Sequence, residues 1–117
     1  MPITDFANVS FGVEDGHLVM RAVARSTGKP YRHACPRADL EAVAHALDQA
    51  RPDGLTRESL HEATGLPWTR LNVAVLFLFE RSIVERAGRR GARYVPACAG
   101  VHLDAMTEYH ALCEPGA

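Results

Sequence analysis

The chain has 117 residues, 47% of them hydrophobic and 23% charged, with a formal net charge of −1. That is the length and apolar content of one globular domain, and it excludes a disordered chain or one held together by staples. Arg70 and Glu80 bracket the longest apolar run, which falls short of the ~18 residues a membrane span needs.

In chain order, residues 9–13 (VSFGV) alternate apolar with small or polar side chains, as a half-buried strand does. Asp15-Gly16 supplies a tight turn, and HLVMRAVAR continues as a second strand. Leu18, Met20, Ala22 and Ala24 share one face of that strand; Val19, Arg21, Val23 and Arg25 share the other. Apolar residues on both faces make a helix the competing reading for 18–25. STGKP is a turn and YRHAC a short third strand, so residues 1–36 are expected to form an antiparallel β-meander. The period then changes. Leu40, Val43, Ala44, Leu47 and Ala50 follow helical spacing, and RPDG stops them. A short helix with Thr56 as N-cap and Leu60, Ala63 and Leu66 on its apolar side ends at Thr64-Gly65. Pro67 suits the first turn of a longer helix that runs to about Arg81. Residues 83–86 and 92–95 read as a hairpin around a turn of Gly and Arg, and residues 101–113 (VHLDAMTEYHALC) as a final helix.

Charge is unevenly spread. Residues 67–96 carry six arginines against two glutamates, net +4, while the remainder carries −5. A basic segment in a near-neutral chain is one form a nucleic-acid-binding module takes.

The order helix, short helix, turn with Gly, longer helix, Arg-rich hairpin resembles the winged helix-turn-helix family over residues 38–96. The sharpest parts are LHEATGLPWTRLNVAVLFL and ERSIVERAGRRGARYV. Leu71, Ala74, Val75 and Leu78 match the family's inward positions on its third helix. Ser82 takes the place of the usual Gly before the apolar pair Ile83-Val84. The resemblance implies an α+β fold: a winged helix-turn-helix with an N-terminal meander and a C-terminal helix. It also implies a double-stranded DNA partner. The sequence has no Gly-rich phosphate loop, nucleophile elbow or metalloprotease signature. His17, His33, His45 and His61 lack a paired acid or nucleophile at meaningful spacing, so neither enzymatic activity nor a cofactor is expected. The family reads the major groove with the start of its third helix, here Trp68, Thr69, Arg70 and Asn72. Arg suits guanine, Asn suits adenine, and Thr suits phosphate or a thymine methyl. Arg86, Arg89, Arg90 and Arg93 would be the wing's contacts to phosphates or the minor groove.

Leu76, Phe77 and Phe79 widen the apolar surface of this helix beyond one ordinary stripe. A cover is therefore expected over its second half: the N-terminal strands, the final helix or a second subunit. Met106, Tyr109 and Leu112 on the final helix are candidates for a homodimer interface, and packing within their own domain is the equal alternative. Cys98-x3-His102 and His110-x2-Cys113, joined by His33-x-Cys35, have ligand-like spacing but lack the tight pairs of structural zinc sites, and no metal is expected. Three cysteines are an odd number, which argues against a disulfide framework. The N-terminus lacks the pattern of a secretory signal, so the expected location is the cytoplasm. The functional expectation is a small transcriptional regulator or mobile-element accessory factor. A protein–protein interaction module is the alternative, favoured by the near absence of lysine (Lys29 alone) and the apolar second half of the long helix.

Overall fold

Two-residue periodicity in the first third of the chain and helical periodicity after it divide the molecule into a sheet and a helical layer. The computed structural model describes residues 5–113. Strands β1 (Phe6–Glu14), β2 (His17–Ala24) and β3 (Pro30–Pro36) form an antiparallel sheet in that order. Asp15 (φ 51°) and Gly16 (φ 76°) both take the left-handed region that a two-residue hairpin turn requires. β1 starts three residues earlier than its alternation suggests. A bulge between Ala7 and Ser10, with Asn8 at φ 55°, breaks the period there. β2 is paired on both sides, so residues 18–25 do not form the competing helix. Leu18, Met20 and Ala22 face the core. Val19 on the opposite face is closed off as well, where Arg21 and Arg32 both reach Glu14, at 2.7 and 3.4 Å.

Helix α1 (Arg37–Gln49) buries Leu40, Val43, Ala44 and Leu47. A two-residue strand, β4 (Leu55–Thr56), leads into α2 (Arg57–Thr64). The Thr56 hydroxyl accepts the Ser59 amide at 3.1 Å, and Gly65 (φ 68°) ends α2 in the left-handed conformation. Pro67 immediately precedes α3 (Trp68–Glu80). Strands β5 (Val84–Ala87) and β6 (Arg93–Pro96) form a hairpin whose tip is a single 3-10 turn at Arg89–Gly91. The second sheet has the order β4-β6-β5, with Leu55 opposite Tyr94. Helix α4 (Val101–Cys113) closes the described chain. The fold is α+β, with four α-helices following the N-terminal antiparallel sheet. No helix among the described residues is long and apolar enough to cross a membrane.

The core answers what covers α3. Leu71 and every residue from Val73 to Leu78 are buried, with α1 on one side and the N-terminal sheet on the other. Phe77 is fully enclosed and meets the Phe11 ring edge-on, with centroids 5.3 Å apart. Leu76 is buried and Phe79 half-buried, so the chain's own sheet supplies the cover. Helix α4 packs along α1 and β1. Its Met106 and Tyr109 are buried in this same core, Leu112 packs half-buried against it, and the Tyr109 hydroxyl donates to Gly16 O at 2.8 Å. Little of Met106 or Tyr109 is left for a second subunit.

The start of α4 is capped from a distance. Asp48, near the end of α1, accepts the Val101 amide at 2.8 Å and the His102 amide at 3.0 Å, and Arg51 lies 3.2 Å from the same carboxylate. Two amides without intrahelical partners are thereby satisfied. Asp48→Ala is expected to lower stability by about 1–2 kcal/mol in urea unfolding, as loss of a strong cap does. Burial alone would raise the Asp48 carboxyl, but the two amides and Arg51 outweigh it and hold it below its ordinary value of 3.8. A lowered folded value means that the stabilisation is complete above the ordinary value. It is lost as pH falls through the folded one, so the difference between wild type and variant should shrink on acidification.

Candidate nucleic-acid interface

Trp68 opens α3, and 43% of it is exposed. Its ring is not free-standing. His61 stacks on it with centroids 4.1 Å apart and planes 12° from parallel, and the Arg57 guanidinium lies 6.0 Å from its centroid. Arg57 and His61 are one helical turn apart on α2, so both reach the same ring. His61 Nδ1 lies 2.9 Å from the Leu66 carbonyl, which can only accept, so Nδ1 is the donor there, and Nε2 has no partner among the described residues. The turn between α2 and α3 is thus tied to α2, and Trp68 is held as a fixed, half-exposed platform.

Thr69 is exposed and Asn72 half-buried, and neither side chain makes a hydrogen bond among the described residues. Arg70 differs. Its Nη1 lies 3.1 Å from Oδ2 of Asp39 in the first turn of α1. The carboxylate oxygen is off the N–H direction and has no hydrogen bond, so the contact is coulombic. Arg70 must therefore leave or share Asp39 to reach a base. That partnership spans 31 positions and has no local signature in the sequence.

The hairpin carries the remaining basic residues. Arg89 and Arg90 stand exposed at its tip, where Gly88 (φ 77°), Arg90 (φ 59°) and Gly91 (φ 63°) make the reversal. Arg86 is oriented by its own turn: its Nε donates to Gly91 O at 2.9 Å. Arg93 packs beneath Gly88, where an added Cβ would come within 3.1 Å of its Nε. None of Arg57, Arg86, Arg89, Arg90 and Arg93 has a carboxylate within ion-pair distance among the described residues, whereas Arg21, Arg32, Arg37, Arg51, Arg70 and Arg81 all do. Of the six arginines without such a partner among the described residues, Arg25 is exposed in the turn after β2, and the other five lie at the start of α2 and on the hairpin. Arg57 belongs to that group and lies outside the residues picked from the sequence. Its one sequence signal is the i, i+4 spacing with His61 below an exposed tryptophan.

The thiols and imidazoles do not build a second centre. Cys98 Sγ donates to Ile83 O, and His102 Nε2 is turned to Glu41 at 3.0 Å while its ring stacks on His45. Burial pushes the Cys35 thiol up to about 12, so it stays protonated. Among the described residues no three His, Cys, Asp or Glu side chains are placed to hold a metal ion. Comparison of the chain with protein-family models, with curated proteins and with solved structures returns no match.

Proposed function

We propose that residues 38–96 form a winged helix-turn-helix unit that binds double-stranded DNA, with the start of α3 in the major groove and the β5–β6 hairpin on the backbone or in the minor groove. The observation that carries this reading is the cluster of five arginines at the start of α2 and on the hairpin that have no carboxylate within ion-pair distance among the described residues, together with the exposed first turn of α3. Elsewhere among the described residues six of the seven arginines have a carboxylate neighbour, Arg25 being the exception, so a surface that gathers five open ones fits a polyanionic partner. The element order α1-β4-α2-α3-β5-β6 and the sheet order β4-β6-β5 support the same family reading. In a cell such a protein would act as a small transcriptional regulator or a mobile-element accessory factor. The alternative, a protein–protein module, drew on the near absence of lysine, the moderate isoelectric point and the apolar second half of α3; with Phe77 packed against Phe11, the last of these no longer favours it.

The two halves of the interface are separable by experiment. Arg89→Ala combined with Arg90→Ala should weaken binding about equally on all duplexes and lower the salt slope by about two, one for each phosphate no longer neutralised. Binding indistinguishable from wild type would make the tip a solvated loop. Asn72→Ala should instead cost about 1–3 kcal/mol on a preferred site and relax its sequence choice. Arg70→Ala should do the same, but it also strands Asp39, whose side chain is only 13% exposed, so its unfolding curve must be measured alongside.

A further inference from the structure

A cleft of about 210 Å3 lies between the start of α2 and the hairpin, lined by Arg57, Glu58, Arg86, Arg90, Gly91 and Tyr94 among others. We propose that this cleft is a binding site for a phosphate-type oxyanion. Three guanidinium groups face one carboxylate around it, and that carboxylate, Glu58, is not within ion-pair distance of any of them. Arg57 makes neither a hydrogen bond nor an ion pair among the described residues, and its Nε is shut off from solvent without a partner. An enclosed cationic donor unmatched by its own chain calls for an explanation, and an anion bound in the cleft supplies one. Arg86 spends only Nε on Gly91 O, which fixes the plane of its guanidinium and leaves its two terminal nitrogens to donate. Gly91 eases that placement, because a Cβ there would sit 3.3 Å from Arg86 Nε and press on the side chain.

Planar forks held in a fixed orientation suit tetrahedral oxyanions better than halides, since each fork can give two parallel hydrogen bonds. The inference deepens the DNA reading by giving one backbone phosphate a seat beside Trp68. A phosphoryl group on a small molecule has the same chemistry, and the site would take it without a duplex.

The protein carries its own reporter. Trp68 is the only tryptophan of the chain, and the Arg57 guanidinium lies over its ring, 6.0 Å from the centroid. Inorganic phosphate, a 5′-mononucleotide and a short mixed-sequence duplex are titrated into the full chain at constant ionic strength, with chloride as control. Trp68 fluorescence and the Nε–H resonances of Arg57 and Arg86 are followed. The expected result is a saturable response to phosphate, absent with chloride, and weakened about tenfold or more in Arg57→Gln and in Arg86→Gln. Arg90→Gln, at the exposed tip, should weaken it less. A duplex that moves the same resonances assigns the phosphate to nucleic acid. A response to phosphate or the mononucleotide with no duplex binding upholds the oxyanion site and overturns the DNA reading. Duplex binding that leaves Arg57 and Arg86 unmoved, with no phosphate response, overturns the oxyanion site and leaves the DNA reading standing. A chloride response equal to that of phosphate also overturns it.

Discussion

Phe77→Ala is expected to lower the unfolding free energy by about 3–5 kcal/mol, the range for removing a fully enclosed aromatic ring. Phe77 sits on the face of α3 that meets the N-terminal sheet, and its ring takes the Phe11 edge at 67°. Deleting it removes the transfer free energy of the ring and opens a cavity between helix and sheet that neither layer can close without shifting the other. Against a total stability of about 5–15 kcal/mol for a domain of this kind, the loss is a large fraction. Urea unfolding checks the magnitude. Phe79→Ala, two positions on and only half-buried, should cost clearly less. Equal costs would mean that the sheet does not bear on α3 as described.

Gly54→Ala should be comparably damaging for a different reason. Gly54 has φ 74°, and a Cβ built there falls on the Tyr94 carbonyl and within 2.9 Å of Val95 Cα. The next residue, Leu55, pairs with Tyr94, so any relief of the clash pulls β4 off β6. Left-handed strain and overpacking each contribute about 1–3 kcal/mol, for a combined cost of about 2–6 kcal/mol. Gly65→Ala is the matched control. Gly65 is also left-handed (φ 68°), but an added Cβ meets nothing within 4 Å, so only the strain of about 1–2 kcal/mol applies. Thermal or urea unfolding of the pair separates strain from collision. If both variants lose the same stability, the close approach of Gly54 to β6 is not what the glycine is for.

How much of this is legible in the sequence follows from how local each signal is. Leu40, Val43, Ala44 and Leu47 announce α1 because helical period is a property of neighbours, and Thr56 and Gly65 announce the ends of α2 for the same reason. The residue before Ile83-Val84 does take a left-handed backbone, φ 60°, but as Ser82 where the family resemblance expects Gly. β4 has no sequence signal because two residues have no period; it exists only because β6 lies alongside it. Interactions between distant residues are out of reach altogether. Asp39 beneath Arg70, Asp48 on the amides of α4 and Arg57 beside the hairpin are pairings made by the fold, not by spacing. The sequence therefore presents the candidate site as a row of side chains on one helix and one hairpin. The structure adds α2 between them, with the Arg57 guanidinium 6.0 Å from the Trp68 ring centroid and Arg57 also lining the cleft.

The most direct measurement is the affinity of the intact protein for a mixed-sequence duplex across a salt series. With Arg57, Arg86, Arg89, Arg90 and Arg93 available to phosphates, log affinity should fall linearly with log salt, with a slope of about −3 to −5 at roughly 0.9 per phosphate neutralised. No binding at low salt, or binding whose affinity is flat across the series, would contradict a role in holding DNA.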